Sequence, residues 1–137
     1  MLIGSAAANV LNGLAGNDLL NGGAGADTFI GGAGADTFEF TAFGDIPSGA
    51  LHDTIVDFHH LEDVINLSAL DADSKTDGNQ AFTFIGNAAF TGHAGELNFV
   101  ANGTGPTVMG DTNGDARADF SVELIGISAL QSTDFIL

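Results

Sequence analysis

At 137 residues the chain has room for one compact domain, or one and a small appendage. Its 18 acidic residues face two basic ones, Lys75 and Arg117, for a net charge of −16. That balance excludes nucleic acid and anionic lipid as natural partners, since both recruit clustered lysine and arginine. Cysteine is absent, and no apolar run reaches the ~20 residues of a membrane span. With no disulfides and only two basic side chains to offset the repulsion, the chain needs a counter-cation or stays loose.

Met1-Leu2-Ile3 is too short for a signal peptide and lacks the basic flank of one. The chain opens inside a repeat, so a fragment of a longer polypeptide is expected. Four units of nine residues then align without gaps, at Gly4–Asn12, Gly13–Asn21, Gly22–Ile30 and Gly31–Glu39. Every unit begins with Gly. The sixth place reads Asn9, Asp18, Asp27, Asp36, and the eighth reads Leu11, Leu20, Phe29, Phe38. Glycines let the backbone take positive φ and turn carbonyls inward. A carboxylate at the sixth place can join those carbonyls around calcium, which takes about six to eight oxygens. The apolar residue two places later points into the interior of a very short strand. Two units then close a coil of about 18 residues, stacking unit one on three and two on four. The candidate ligands are the turn carbonyls and sixth-place side chains of Asn9, Gly13, Ala15, Asp18, Gly22, Gly23, Ala24, Gly25, Asp27, Gly31, Gly32, Gly34 and Asp36.

The pattern resembles G-G-x-G-x-D-x-U-x, the calcium-binding nonapeptide of RTX (hemolysin-type) proteins. Units three and four fit at every defined position. Unit two lacks the second Gly, and unit one lacks it too, with Ala7 at the fourth place and Asn9 for Asp. A strong site between units one and three is therefore not expected.

Beyond the repeats, Phe38-Glu39-Phe40 continues the last strand and Gly44–Gly49 reads as a loop. His52–Phe58 and Asp63–Ser68 are short β-branched runs, and Asp71–Asn79 is a polar loop. Strands are expected at Ala81–Ile85, Glu96–Ala101, Pro106–Met109 and Asp119–Ile125, with Phe135-Ile136-Leu137 ending the chain. No segment sustains a 3.6-residue apolar period. The reading is all-β: a calcium-bound parallel β-roll over residues 1–45, then an antiparallel β-rich cap over 46–137, the two forming one structural unit.

The order of Gly-rich repeats, His52-Asp53-Thr54-Ile55-Val56-Asp57-Phe58, Glu62–Leu70, Ala118-Asp119-Phe120 and a terminal Asp134-Phe135-Ile136-Leu137 resembles the C-terminal domain of serralysin-type metalloproteases. The resemblance covers nearly the whole chain. Related modules occur in mannuronan C5-epimerases and some secreted lipases. The resemblance implies two further calcium ligands after the repeats, Asp45 and Asp53. It also implies a secreted protein with an upstream catalytic domain, exported by a type I apparatus that reads an uncleaved C-terminal signal.

Other chemistry is thin. There is no H-E-x-x-H zinc motif, no G-x-S-x-G elbow and no cysteine nucleophile, so no catalysis is expected from this chain. His52, His59, His60 and His93 read as surface or edge histidines rather than a zinc site, and adjacent His59 and His60 would face opposite sides of a strand. Asp111–Asp119 places oxygens as an EF-hand loop begins, but its Gly stands at the fourth place, leaving a hairpin turn and a further calcium site both open. The leading function is a calcium-driven folding and secretion module. The rival is a polysaccharide-associated (alginate) module, against which the shortage of basic residues counts.

Overall fold

The computed structural model describes residues 1–47 and 51–137; Ser48 and Gly49 of the expected loop lie outside them. Twelve strands follow in order: β1 Leu2–Ile3, β2 Val10–Asn12, β3 Leu19–Asn21, β4 Thr28–Ile30, β5 Thr37–Glu39, β6 Asp53–Ile55, β7 Val64–Asn66, β8 Thr83–Phe84, β9 Glu96–Ala101, β10 Pro106–Asp111, β11 Phe120–Leu124 and β12 Phe135–Ile136. Those of the repeats are three residues long, because a turn of glycines interrupts every nine. Among the described residues the only helical pieces are short 3-10 turns, including Phe43–Asp45 and Ser132–Asp134.

From β1 to β7, odd and even strands alternate between two sheets. One has the order β1-β3-β5-β7-β12 and the other β2-β4-β6-β11-β10-β9-β8. Val10 pairs with Thr28 and Leu19 with Thr37, the offset of one coil, so unit one stacks on three and two on four. Leu2 pairs with Leu20 at the same offset.

The eighth-place residues become two facing columns. Leu11, Phe29, Ile55 and Leu124 stack through successive pairings in one sheet. Leu2, Leu20, Phe38, Ile65 and Phe135 stack in the other. The Phe29 and Phe38 rings meet edge to face at 5.9 Å between them, which locks the columns together. Each such side chain contributes about 1.5–3 kcal/mol on burial.

Past the repeats the sequence reading needs enlarging. β6, β7 and β12 do not form a separate cap but prolong both parallel sheets. β11 also joins β6 in parallel. The antiparallel part is β9–β10–β11, an excursion between β7 and β12. Gly110 on β10 sits under the Phe120 ring, where any side chain would collide with it. At the far end Phe84 of β8 and Phe135 of β12 approach to 5.0 Å, joining the two sheet edges. At the other end β1 and β2 are edge strands, and Ile3 and Val10 are exposed.

Candidate metal centre

The turns between strands set the site. In units three and four Gly23 and Gly25, then Gly32 and Gly34, all take positive φ, flanking Ala24 and Ala33. In unit two Leu14 takes the second place at φ 74 with Gly16 at 114, flanking Ala15. Side chains other than Gly are strained there. Unit one, with Ser5 and Ala7 at those places, lacks the left-handed pair. Its Asn9 turns back on its own loop, accepting from Ser5 N at 2.6 Å and Ser5 Oγ at 3.2 Å.

The sixth-place carboxylates climb the coils as a ladder. Asp27 Oδ1 accepts from Asn9 N at 2.8 Å, and Asp36 Oδ1 from Asp18 N at 2.8 Å. Asp53 Oδ1 accepts from Asp27 N at 2.7 Å, and Asp63 Oδ1 from Asp36 N at 2.9 Å. The second oxygens differ. Oδ2 of Asp27, Asp36 and Asp53 is buried without a hydrogen-bond partner. Asp63 Oδ2 is taken by His59 N at 2.8 Å, which closes its column. On the other column Val122 follows Asp53 in register and has no oxygen to offer.

Space and charge fit a hard cation beside those free oxygens. A methyl on Gly22 would overlap Asp27 Oδ2, and one on Gly31 would stand 2.5 Å from Asp36 Oδ2. One on Gly13 would meet Gly31 O at 2.5 Å and Asp18 Oδ2 at 2.9 Å; one on Gly4 would meet Asn9 Oδ1 at 2.5 Å. Glycine thus keeps room where carbonyl and carboxylate oxygens converge. Burial pushes Asp53 up to about 7, with the charges of Asp27 and Asp45 adding to the rise. Asp27 is raised too, by burial first and then by Asp45. The fold therefore gathers Asp27, Asp45 and Asp53 against their mutual repulsion, and a divalent ion would relieve it. One oxygen of Asp45 already caps its own turn, accepting from Thr41 Oγ1 at 2.9 Å and Ala42 N at 3.0 Å. Asp18, by contrast, lies 3.6 Å from the Met1 ammonium.

Among the described residues no three imidazole or carboxylate side chains form a ready metal cage. The histidines are dispersed: His52 meets Glu123 at 2.9 Å, His60 meets Asp134 at 2.6 Å, and His93 meets Thr91 at 2.7 Å. His59 and His60 lie in a turn rather than a strand, which replaces the opposite-faces expectation.

Asp111–Asp119 is the connection between antiparallel β10 and β11. Asp111 accepts from Gly114 N at 2.7 Å and Ala116 N at 2.8 Å, one on each oxygen. Asp119 accepts from Thr112 N at 2.7 Å and Asn113 Nδ2 at 2.8 Å. Backbone amides and the Asn113 side chain use these carboxylates, and the segment joins the two strands as a hairpin.

Sequence reasoning overlooked two residues. Asp57 accepts from Gly31 N at 2.8 Å and Gly32 N at 2.9 Å, clamping the turn of unit four. Asp63 is the last rung of its column. Its signal was present, since Asp63-Val64-Ile65-Asn66 repeats the form of Asp18-Leu19-Leu20-Asn21.

The family of peptidase M10 serralysin C-terminal sequences matches residues 7–137. Among solved structures, the AlgE6R3 subunit of the Azotobacter vinelandii mannuronan C5-epimerase is similar at 30% identity and a TM-score of 0.63, over 98% of this chain and 76% of that one. The AlgE6R2 subunit of the same epimerase is similar at 29% identity and a TM-score of 0.65, over 98% and 88%. No curated protein sequence matches the chain significantly.

Proposed function

The chain belongs to the peptidase M10 serralysin C-terminal family, and we propose that within it this chain is a module whose folding is driven by calcium outside the cell. The observation that carries the reading is the set of buried, unpartnered oxygens on Asp27, Asp36 and Asp53. A buried carboxylate oxygen without a donor is costly, and an ion beside it removes that cost. Asp27, Asp36 and Asp53 would hold the ions with the carbonyls of the glycine turns around Gly22–Gly25 and Gly31–Gly34, and with Asp18 and Asp45 at the periphery. Asn9 contributes little, because Ser5 occupies its oxygen.

Extracellular calcium modules bind at about 10⁻⁴–10⁻³ M. Ion at roughly ten times that constant adds about 1.4 kcal/mol per site. Three or four such sites would supply about 4–6 kcal/mol, comparable to the whole stability of a small domain. In a calcium-poor cytosol the ion term vanishes while the repulsion of −16 charges remains. The chain then stays unfolded and threadable, which suits export by a type I apparatus together with an upstream catalytic domain. Circular dichroism in EGTA and then in millimolar calcium tests the core of this reading. A β spectrum that chelation leaves unchanged would overturn it.

A second reading takes the likeness to the epimerase subunits as its observation: a module that accompanies a polysaccharide-modifying enzyme. Titrating the calcium-loaded chain with alginate oligomers separates the two. Saturable binding supports the second, and its absence leaves the folding role alone.

A further inference from the structure

The acidic residues are unevenly placed along the chain. No ionisable side chain occurs between Glu96 and Asp111, nor between Glu123 and Asp134. The hairpin turn joining β9 to β10 and the link from β11 to the turn Ser132–Asp134 come from these two stretches. Together with His60 they wall an open groove of about 760 Å³. On a chain of net charge −16, no acid lines it. A smaller hollow of about 400 Å³ shares His60, Gly126 and Ile127 with it and extends it to Val56–Phe58, where Asp57 and Glu62 are the first acids met.

The walls are fixed by bonds that leave polar groups of the groove unused. Asn102 Oδ1 accepts from Thr104 N at 2.8 Å and Gly105 N at 3.1 Å, and its amide donates to Thr107 Oγ1 at 3.1 Å. Gly126 N donates to Thr104 O at 3.2 Å, tying one wall to the other. Glu123, behind the first wall, accepts from Thr104 Oγ1 at 2.7 Å and meets His52 at 2.9 Å. Asp134 N donates to Gln131 O at 3.0 Å, which holds the end of the second wall in its turn. The side chains of Ser128 and Gln131 are exposed and make no hydrogen bond among the described residues. His60 Nδ1 lies 2.6 Å from Asp134 Oδ1, so its ring is held and Nε2 is the nitrogen left over. Ile127, packed in part against the core, adds an apolar patch.

We propose that this groove binds a short neutral saccharide. Its hydroxyls would pair with Ser128, Gln131 and His60 Nε2, and a C–H face of the sugar would rest on Ile127. Hydroxyl, carboxamide and imidazole groups between them both donate and accept, which is what a ligand rich in hydroxyls needs. A pre-formed groove of this volume is of the size that holds small molecules. An anionic ligand finds no lysine or arginine in these walls and meets the field of an acidic chain, which bound calcium offsets only in part. The groove is thus set for an uncharged sugar rather than a uronate. The inference goes beyond calcium-driven folding and is independent of it, since the measurement is made on the folded, calcium-loaded chain.

Amide chemical shifts of the ¹⁵N-labelled chain, followed during titration with maltotriose, cellotriose or mannotriose up to tens of millimolar, test it. Trimannuronate serves as the charged counterpart. At least one neutral trisaccharide should shift the amides of Gly103, Gly126, Ser128 and Ala129 saturably, while those of Phe29 and Phe38 stay in place. Trimannuronate should bind more weakly. Ser128→Ala and Gln131→Ala should each weaken binding about fivefold, the factor for one neutral hydrogen bond. Asp73→Ala, outside the groove, should leave it unaltered. The proposal is overturned if no neutral trisaccharide gives saturable shifts, or if the shifts fall outside the groove. Undiminished binding by both groove variants overturns it too, and trimannuronate binding as tightly as the neutral sugars would refute the selectivity for an uncharged ligand. Any of these outcomes leaves calcium-driven folding untouched.

Discussion

Asp27 and Asp36 each commit one oxygen to an amide of the preceding coil and leave the other buried beside a glycine. Asp73 is equally acidic but fully engaged in its own loop, with Lys75 N at 2.9 Å and Thr76 Oγ1 at 2.6 Å. Replacing Asp27 or Asp36 by Ala should therefore raise the calcium midpoint about tenfold or more, as expected from losing a charged ligand. Asp73→Ala should leave the midpoint unmoved; titration calorimetry on the three variants decides, and equal midpoints would refute the ligand assignment. Leu14 supplies a different case. It is exposed and sits at φ 74 where units three and four have Gly. Leu14→Gly relieves about 1–2 kcal/mol of left-handed strain against roughly 0.5–1 kcal/mol of added chain entropy. The calcium-loaded melting temperature should rise slightly, and a fall would show that Leu14 makes contacts worth more than its strain. Asp53 gives a pH dependence whose sign is fixed by its direction. Its value is about 7 in the fold against 3.8 for the free side chain. A raised carboxyl costs nothing below the lower value, and its penalty grows as pH climbs to the upper one. The full penalty is about 4 kcal/mol, since each unit is worth about 1.4. Asp27 and Asp63 are raised by burial as well and add in the same direction. Calcium-stripped protein should show more β signal at pH 5 than at pH 8. Calcium should reverse that order by holding the carboxylates ionised.

At the scale of the element, the clamp by Asp57 joins the turn after β6 to the start of unit four. Asp57→Ala frees two part-buried amides at once, at about 1 kcal/mol or somewhat more in each case. Thermal unfolding in calcium should drop by several degrees, and an unchanged melting temperature would mean that solvent replaces the carboxylate at no cost. What the sequence disclosed follows the same division. Within the repeats the ninefold period fixes strand length, the sheet to which each strand belongs and the pairing of Val10 with Thr28, because each of these is local. After Glu39 the spacing of the ladder changes from 18 residues to 26 and 27, since the insertion holding Phe43–Asp45 and the turn at His59–Asp63 lengthen each coil. The period is lost to inspection although the Asp-x-apolar core of each unit persists in Asp53-Thr54-Ile55 and Asp63-Val64-Ile65. The pairing of Leu124 with Ile55 and of Phe135 with Ile65 was out of reach, because it closes over the β8–β10 excursion and leaves no periodic trace. The sixth-place rungs of the ladder were readable in the ninefold period. The one rung closed by His59 N was not, because it depends on how a non-repeating turn folds back.

For the whole molecule, charge and topology act on the same question: what state the chain is in when its end is presented. On the proposed reading, 18 acidic residues against two basic ones oppose compaction without calcium, and an unfolded chain offers the last strand no β7 to pair with. In the folded chain Phe135 is buried, Asp134 meets His60, and Ile136 lies along Asn66. A tail read by an exporter must be read in the first state. Deleting residues 134–137 should therefore block export through a type I system, measured as secreted against cell-retained protein. The deletion also removes an edge strand and one aromatic contact, so the melting temperature in calcium should fall, by an amount set by the loss of about 2–3 kcal/mol of buried Phe. The calcium-induced β signal of the repeats should survive, because the ladder from Asp18 to Asp63 makes its bonds upstream of β12. Retained protein that still responds to calcium would assign the tail a role in export beyond packing. Normal secretion of the shortened chain would leave the tail as the last strand of the roll and nothing more.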